Sequence, residues 1–159
     1  MDEKLKKILS ALQRQCVRRE YCSSDIYRKA LLKTEGDEAA AREILQSLKS
    51  DGFVSDLRYS SAFAREKAGI SGWGRVKISF ALRAKGIDRD IINEALEEID
   101  EGKAENRLRK LMESKWKSLD GAADAKLKLL KFALSRGYEY EQVKKMAEIV
   151  TTESASDDI

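Results

Sequence analysis

The chain has 159 residues, of which 42% are hydrophobic and 37% are charged, so it can bury a core and does not have the composition of a disordered protein. It contains no proline, and Ala, Leu, Lys, Glu and Arg dominate, which predicts an all-helical protein. A net charge of +3 is mildly basic and by itself excludes no class of partner.

The residue types that most metal sites and hydrolytic enzymes use are scarce. Histidine is missing from the sequence, and Cys16 and Cys22 are too few to complete a zinc site. Histidine is also the commonest general base at neutral pH, and no other set of side chains suggests catalysis. We therefore expect no metal, no cofactor and no enzymatic activity.

Hydropathy gives an expectation for location. No apolar run approaches the roughly 20 residues of a membrane span, and the first ten residues lack the long apolar core of a secretory signal. A cytoplasmic protein without membrane contact is expected.

The first 55 residues are predicted to form three helices. Apolar residues at helical spacing predict a first helix over about residues 4–19. Ser23 or Ser24 is expected to cap the second helix, because a serine oxygen can accept from the amides of the first turn. The third helix is predicted from Asp37 to about Ser50.

The same plan recurs twice more along the chain. A shift of 51 residues places Leu45 on Leu96 and Ile99 on Val150, and glycines recur at helix ends. We therefore predict three tandem three-helix repeats that form an elongated, curved helical array. Their limits are residues 1–55, 56–102 and 103–150, and residues 151–159 are predicted to be a disordered acidic tail.

Residues 57–87 form a markedly basic stretch, with seven Lys or Arg side chains and one acidic side chain, Glu66. In each predicted repeat the first two helices are basic and the third is acidic. This periodicity favours a positive binding face, although ordinary solvated helix surfaces would give a similar pattern. The candidate contacts with a partner or nucleic acid are Arg58, Arg65, Lys67, Trp73, Arg75, Lys77, Arg83 and Lys85.

The glycine-rich segment at residues 69–77 has neither the Walker nor the dinucleotide-binding spacing. We interpret it as a turn between two helices. The start of the second helix would still offer amide N–H groups, beside Arg75 and Lys77, to a phosphate or carboxylate.

Four aromatic residues of the basic stretch could in principle stack on bases. Tyr59 and Phe63 are four residues apart, and Phe80 belongs to an apolar helical stripe, so all three are predicted to pack in the core. Trp73 lies in the glycine turn and is predicted to be exposed.

The sequence resembles the RecX regulatory family, the bacterial modulators of the RecA recombinase. The central resemblance rests on Asp56, Arg58, Tyr59, Ala62, Phe63, Arg65, Lys67, Gly72, Gly74, Arg75, Lys77, Ile78, Leu82, Lys85, Gly86 and Ile87. The first repeat adds Arg19, Glu20, Tyr21, Ser23, Asp25, Ile26 and Lys29, with Cys22 where the family more often has serine. The third repeat matches only in pattern.

The resemblance implies a monomeric helical-repeat protein that binds the RecA filament on single-stranded DNA. It further implies inhibition of filament extension, ATP hydrolysis and strand exchange, in DNA repair, homologous recombination and the SOS response. Single-stranded DNA is a further expected partner. The positive face leaves one alternative open, a helical-repeat DNA-binding protein that acts mainly through the phosphate backbone.

Overall fold

The computed structural model describes residues 1–157, with side chains described through residue 154. Within these residues all regular structure is helical, which confirms the predicted all-α helical array. The helices are α1 (Glu3–Arg18), α2 (Ser23–Lys33), α3 (Glu38–Ser50), α4 (Asp56–Gly69), α5 (Arg75–Ala84), α6 (Arg89–Leu96), α7 (Glu101–Leu119), α8 (Ala125–Ser135) and α9 (Tyr140–Asp157).

The chain divides into two compact units. Unit 1 comprises Met1–Phe63 and Leu82–Ala95, and unit 2 comprises Ala64–Ala81 and the chain from Leu96 onward. Helices α4, α5 and α6 therefore each contribute residues to both units. The limits of the three predicted repeats stay predictions.

Unit 1 is built on the apolar faces of α1, α2 and α3. Leu12, Ile26, Ile44 and Leu48 are fully buried there, one or two from each helix. Their spacing of three or four residues puts one stripe per helix into a shared core, as the sequence predicted. At roughly 1.5–3 kcal/mol for each fully buried aliphatic side chain, this core dominates the stability of the unit.

The predicted serine cap of α2 is wrong. Cys22 occupies the N-cap position, and its side chain makes no capping hydrogen bond. The amide of Ser23 instead donates to Oδ1 of Asp56 at 2.7 Å, and the Ser24 hydroxyl donates to the carbonyl oxygen of Lys85 at 2.7 Å. The Ser23 hydroxyl is buried without a hydrogen-bond partner among the described residues. The Ser23 amide and the Ser24 hydroxyl bond to segments more than thirty positions away along the chain, which local sequence cannot reveal.

Unit 2 is built on α7, α8 and α9. Leu108, Met112, Leu129 and Val143 are fully buried in its core. The turn before α5 packs against the turn between α8 and α9 through backbone contacts that only glycine permits. A Cβ added to Gly74 would lie 2.4 Å from the carbonyl oxygen at residue 137, well inside van der Waals contact.

Helix α9 continues through Asp157, beyond its predicted end at Val150. The hydroxyl of Thr151 donates to the carbonyl oxygen of Ala147 at 2.8 Å, and Glu153 forms an ion pair with Arg109 of α7. These contacts hold the extra helical turn, so the part of the predicted disordered tail that the structure describes is helical. Residues 158 and 159 lie outside the described residues.

Candidate partner-binding site

The guanidinium of Arg58 forms hydrogen bonds with other residues of unit 1. Its Nε lies 2.8 Å from both carboxylate oxygens of Glu20. Its Nη2 donates to the carbonyl oxygens of Gly52 and Phe53, at 2.9 and 3.2 Å. The Nε and Nη2 donors of Arg58 are thus used within unit 1, and only the Nη1 donors have no acceptor among the described residues.

Lys85, also in unit 1, is paired with a carboxylate. Its Nζ lies 3.1 Å from both Oδ1 and Oδ2 of Asp25, and this hydrogen bond raises the pKa of Lys85 above its usual value. Arg83 differs, since its side chain is exposed and makes no ion pair within the described residues. Of the three predicted contact cations in unit 1, Arg83 is the one presented to solvent without a carboxylate.

Tyr59 and Phe63 of unit 1 pack against each other, but they do not belong to the buried core predicted for them. The rings of Tyr59 and Phe63 stack with their centroids 6.0 Å apart and their planes at 25°. Both are half-buried, and burial raises the pKa of Tyr59. Because the two rings stack on each other, less ring surface is left on which a base could stack.

Two predicted contact arginines in unit 2 also lie against carboxylates. Arg65 Nη1 is 3.3 Å from Oε2 of Glu98. Arg75 Nη1 is 2.5 Å from Oε1 of Glu101 and donates to the carbonyl oxygen of Leu96 at 3.3 Å. The acidic partners come from α7 and from the turn before it. Some of the alternating charges along the sequence therefore form ion pairs with each other within the fold.

Trp73 is half-buried, so the prediction that it is exposed is wrong. The ammonium nitrogens of Lys67 and Lys77 lie 4.9 and 4.4 Å from the centroid of its ring. Its backbone amide donates to the carbonyl oxygen of Lys67 at 2.8 Å. Cation-π attraction to the Trp73 ring therefore positions the ammonium groups of these two lysines.

At the start of α5, two of the amides predicted to be open to a phosphate already have acceptors within the fold. The amide of Gly74 donates to the carbonyl oxygen of Arg136 at 2.8 Å, and that of Val76 donates to the carbonyl oxygen of Gly137 at 2.9 Å. These acceptors belong to the turn between α8 and α9. The glycine-rich segment is thus a close-packed turn, as interpreted, and its amides serve the fold.

Helix α5 carries an exposed apolar pair that its sequence pattern did not predict. Phe80, predicted to be in the core, is 69% exposed, and Val76 is 50% exposed. Helix α5 instead buries Ile78 and Leu82 completely. Both pairs have the same spacing of four residues, so periodicity alone could not tell which stripe faces the core.

The resulting surface of unit 2 combines cations with exposed apolar side chains. Val76 and Phe80 lie one turn apart on α5, and Lys77 follows Val76 with its ammonium at the Trp73 ring. Lys77 forms no ion pair within the described residues, so its charge is not cancelled by a carboxylate. Such a surface suits an anionic partner with apolar side chains.

Over the part of the chain that the structure describes, no helix is long and apolar enough to cross a membrane. Among the same residues, no group of three or more His, Cys, Asp or Glu side chains could hold a metal ion.

One family model matches the chain over residues 55–96, and it describes the second three-helix domain of RecX. This matched segment contains every predicted contact residue, from Arg58 to Lys85, and also Val76 and Phe80.

Curated relatives named regulatory protein RecX align with most of this chain. The protein of Clostridium tetani is 32% identical over 123 residues, which cover 75% of this chain and 56% of the relative. That of Clostridium perfringens is 29% identical over 144 residues, covering 88% and 66%. That of Pelodictyon phaeoclathratiforme is 28% identical over 141 residues, covering 86% and 84%. The chain thus spans between about half and two thirds of the length of these clostridial relatives.

Two crystal structures share the fold. The structure of RecX from Lactobacillus salivarius superposes with a TM-score of 0.82 at 19% identity, over 96% of this chain and 99% of that one. A second crystal structure, of regulatory protein RecX, also gives a TM-score of 0.82 at 19% identity, over 92% of this chain and 72% of that one.

Proposed function

This chain belongs to the RecX family, and from that premise we propose that it regulates the RecA recombinase. It binds RecA and its filament on single-stranded DNA, and it inhibits filament extension, ATP hydrolysis and strand exchange. It acts as a monomer in the cytoplasm, in DNA repair by homologous recombination and in the SOS response. Its effect comes from binding and not from chemistry of its own.

The observation that carries this proposal is the content of residues 55–96. The segment that matches the family model is also the one that holds the exposed cation Arg83, the ring-bound Lys77 and the exposed apolar side chains of α5. Within unit 2, the positive and partly apolar surface of Val76, Lys77 and Phe80 supports contact with an acidic protein surface through charge and apolar burial together.

The revised list of contacts follows from what each side chain already touches. Phe80 and Lys77 in unit 2, and Arg83 in unit 1, rank first as proposed contacts. Phe80 is exposed, and neither of the two cations has a carboxylate partner among the described residues. Arg58 and Lys85 are placed last, because their donors have acceptors within unit 1. Arg65 and Arg75 rank between these two groups as proposed contacts, since exposed ion pairs exchange partners at small cost.

The test is the rate of ATP hydrolysis by RecA from the same organism on single-stranded DNA, with this protein added at substoichiometric amounts. A fall in the rate at a low ratio to RecA supports filament regulation. The Phe80→Ala variant is expected to need about tenfold more protein for the same inhibition, since exposed aromatic residues often carry much of an interface's affinity.

Leu127→Ala is the matched control, because Leu127 is a 49% exposed apolar residue of unit 2 that lies on α8. It is expected to inhibit like the unchanged protein, and neither variant should shift the melting temperature. Equal inhibition by both variants would remove α5 from the proposed interface. Absence of any effect of the unchanged protein on RecA would overturn the proposed function itself.

The alternative is a helical-repeat protein whose main ligand is DNA, bound through the phosphate backbone. The observation that favours it is that Lys77 and Arg83 keep their charge uncompensated by any carboxylate among the described residues. Binding to duplex DNA should then weaken with salt, with a log–log slope of about −0.9 for each phosphate neutralised. Tight, steeply salt-dependent binding to DNA without any effect on RecA would favour this alternative.

A further inference from the structure

A depression in unit 2 lies apart from the α5 surface and has no role in the function proposed above. It is formed on one side by residues 69–72, between α4 and α5, and on the other by Arg107, Lys110, Leu111 and Ser114 of α7. Its volume is about 300 Å³. It is open to solvent and large enough to take a bulky side chain.

The walls of this depression, which we call the α7 pocket, are largely apolar. Ile70 is 84% exposed at its edge, and Leu111 faces it from α7. The loop is held in place by the Tyr138 hydroxyl, which donates to the carbonyl oxygen of Gly72 at 3.0 Å. An aliphatic side chain as exposed as Ile70 gains free energy if a partner covers it.

The charges at the α7 pocket all have one sign. Arg107 and Lys110 line it, and no carboxylate does so in the part of the chain that the structure describes. The Nε of Arg107 is buried and has no hydrogen-bond acceptor among the described residues. That nitrogen is out of reach of a ligand, so the attraction of the pocket for a carboxylate comes from the positive charges of Arg107 and Lys110.

We propose that the α7 pocket binds an acidic segment of a partner protein, in which a bulky apolar side chain stands next to aspartate or glutamate. The apolar side chain packs on Ile70 and Leu111, and the carboxylate lies at Arg107 and Lys110. A phosphate backbone alone would use the two cations and leave the apolar wall exposed. The proposal does not depend on RecA, because none of the residues that line the α7 pocket is among the contacts proposed above for RecA.

The test is titration of the full ¹⁵N-labelled chain with the peptide acetyl-Glu-Asp-Leu-Phe-Glu-Asp-amide, followed by amide chemical shifts. Shifts confined to residues 69–72 and 107–114 are expected. Two control peptides separate the apolar contribution to binding from the electrostatic one. In the first, serines replace Leu and Phe, and in the second, lysines replace the four acids. Both are expected to bind at least tenfold more weakly.

Lys110→Glu reverses a charge at the pocket, and Lys131→Glu makes the same change at an exposed position of α8. The first is expected to weaken peptide binding about fivefold and the second to leave it unchanged. Ile70→Ser removes apolar surface that is exposed in the fold, so it should weaken binding without altering melting.

Four outcomes would overturn the proposal. They are no shifts at millimolar peptide, equal binding of the serine peptide, equal loss in the two lysine variants, and tighter binding of an oligothymidylate than of the peptide at the same residues. The last outcome would reassign the α7 pocket to a phosphate backbone.

Discussion

Lys77 of unit 2 and Lys85 of unit 1 come from the same basic stretch, but their ammonium groups have opposite kinds of neighbour. Nζ of Lys85 lies 3.1 Å from both oxygens of Asp25. Nζ of Lys77 lies 4.4 Å from the centroid of the Trp73 ring. A carboxylate cancels the charge of the lysine, whereas an aromatic ring holds it in place and leaves the net charge intact.

This difference separates cations that hold the fold together from cations that are available to a partner. A sequence shows both as lysine at helical spacing. The structure assigns Lys85 to the first kind and Lys77 to the second. If the assignment is correct, substitutions at the two positions should affect different measurements.

The largest expected effect comes from the backbone that supports Lys77. Gly137 has φ of +91°, and a Cβ there would lie 2.1 Å from Cβ of Lys77 and 2.7 Å from its amide nitrogen. Gly137→Ala should destabilise unit 2 by about 3 kcal/mol, because it adds a steric clash to an unfavourable φ. Urea unfolding followed by circular dichroism measures this loss.

Gly121→Ala is the matched control for that substitution. Gly121 also has a positive φ, +73°, but a Cβ there would meet nothing within 4 Å. It should cost about 1 kcal/mol, from backbone strain alone. Similar losses for the two variants would mean that the turn between α8 and α9 moves easily away from Lys77.

The next effect is on binding, and it compares the two lysines directly. Lys77→Gln should raise about fivefold the concentration of protein needed to inhibit RecA, because it removes an uncompensated charge from the proposed surface. Lys85→Gln should change that concentration less than twofold. The ATP hydrolysis assay measures both, and a larger effect from Lys85→Gln would reverse the assignment.

A smaller effect concerns the stability of unit 1 and its dependence on pH. The hydrogen bond to Asp25 raises the pKa of Lys85 above its usual value of about 10.4. The stabilisation is therefore complete below about pH 10.4 and is lost as the pH rises through the folded-state pKa. Because the Lys85 side chain is 41% exposed, solvent screening limits the contribution to about 0.5 kcal/mol.

Lys85→Gln should accordingly lower the free energy of unfolding by about that amount at pH 8. The difference from the unchanged protein should shrink and then disappear as the pH rises through the folded-state pKa of Lys85. Urea unfolding over a series of increasing pH values tests the sign. A difference that persists or grows as the pH rises would show that the side chain stabilises unit 1 by something other than its charge.

Much of the fold was predictable, because helix periodicity and glycine at helix ends are local signals. The inward faces of α1 and α3 follow from residues such as Leu12, Ile44 and Leu48, which are fully buried as predicted. The errors arise where contacts between segments distant in sequence decide the local structure. The serines expected to cap α2 contact Asp56 and Lys85 instead.

The candidate site was less predictable, for a related reason. Helix α5 carries two apolar stripes with identical spacing, and burial of Ile78 and Leu82 left Phe80 exposed. The same local evidence could not tell that Trp73 would be half-buried with lysines at its ring. Nor can it show which acidic residue pairs with which basic one, as for Arg65 and Glu98.

That last pair offers the smallest and most discriminating change. Nη1 of Arg65 lies 3.3 Å from Oε2 of Glu98, and the two side chains are 57% and 47% exposed. Their ion pair should therefore contribute less than about 0.5 kcal/mol to the free energy of unfolding. Glu98→Gln removes the carboxylate and leaves an arginine whose charge is no longer compensated by it. If available positive charge in unit 2 drives binding, this variant should inhibit RecA about twofold more strongly than the unchanged protein. Arg65→Gln should inhibit more weakly, with melting unchanged in both. Weaker inhibition by Glu98→Gln would mean that the partner recognises the ion pair itself, and the distinction between compensated and available cations would then fail at this position.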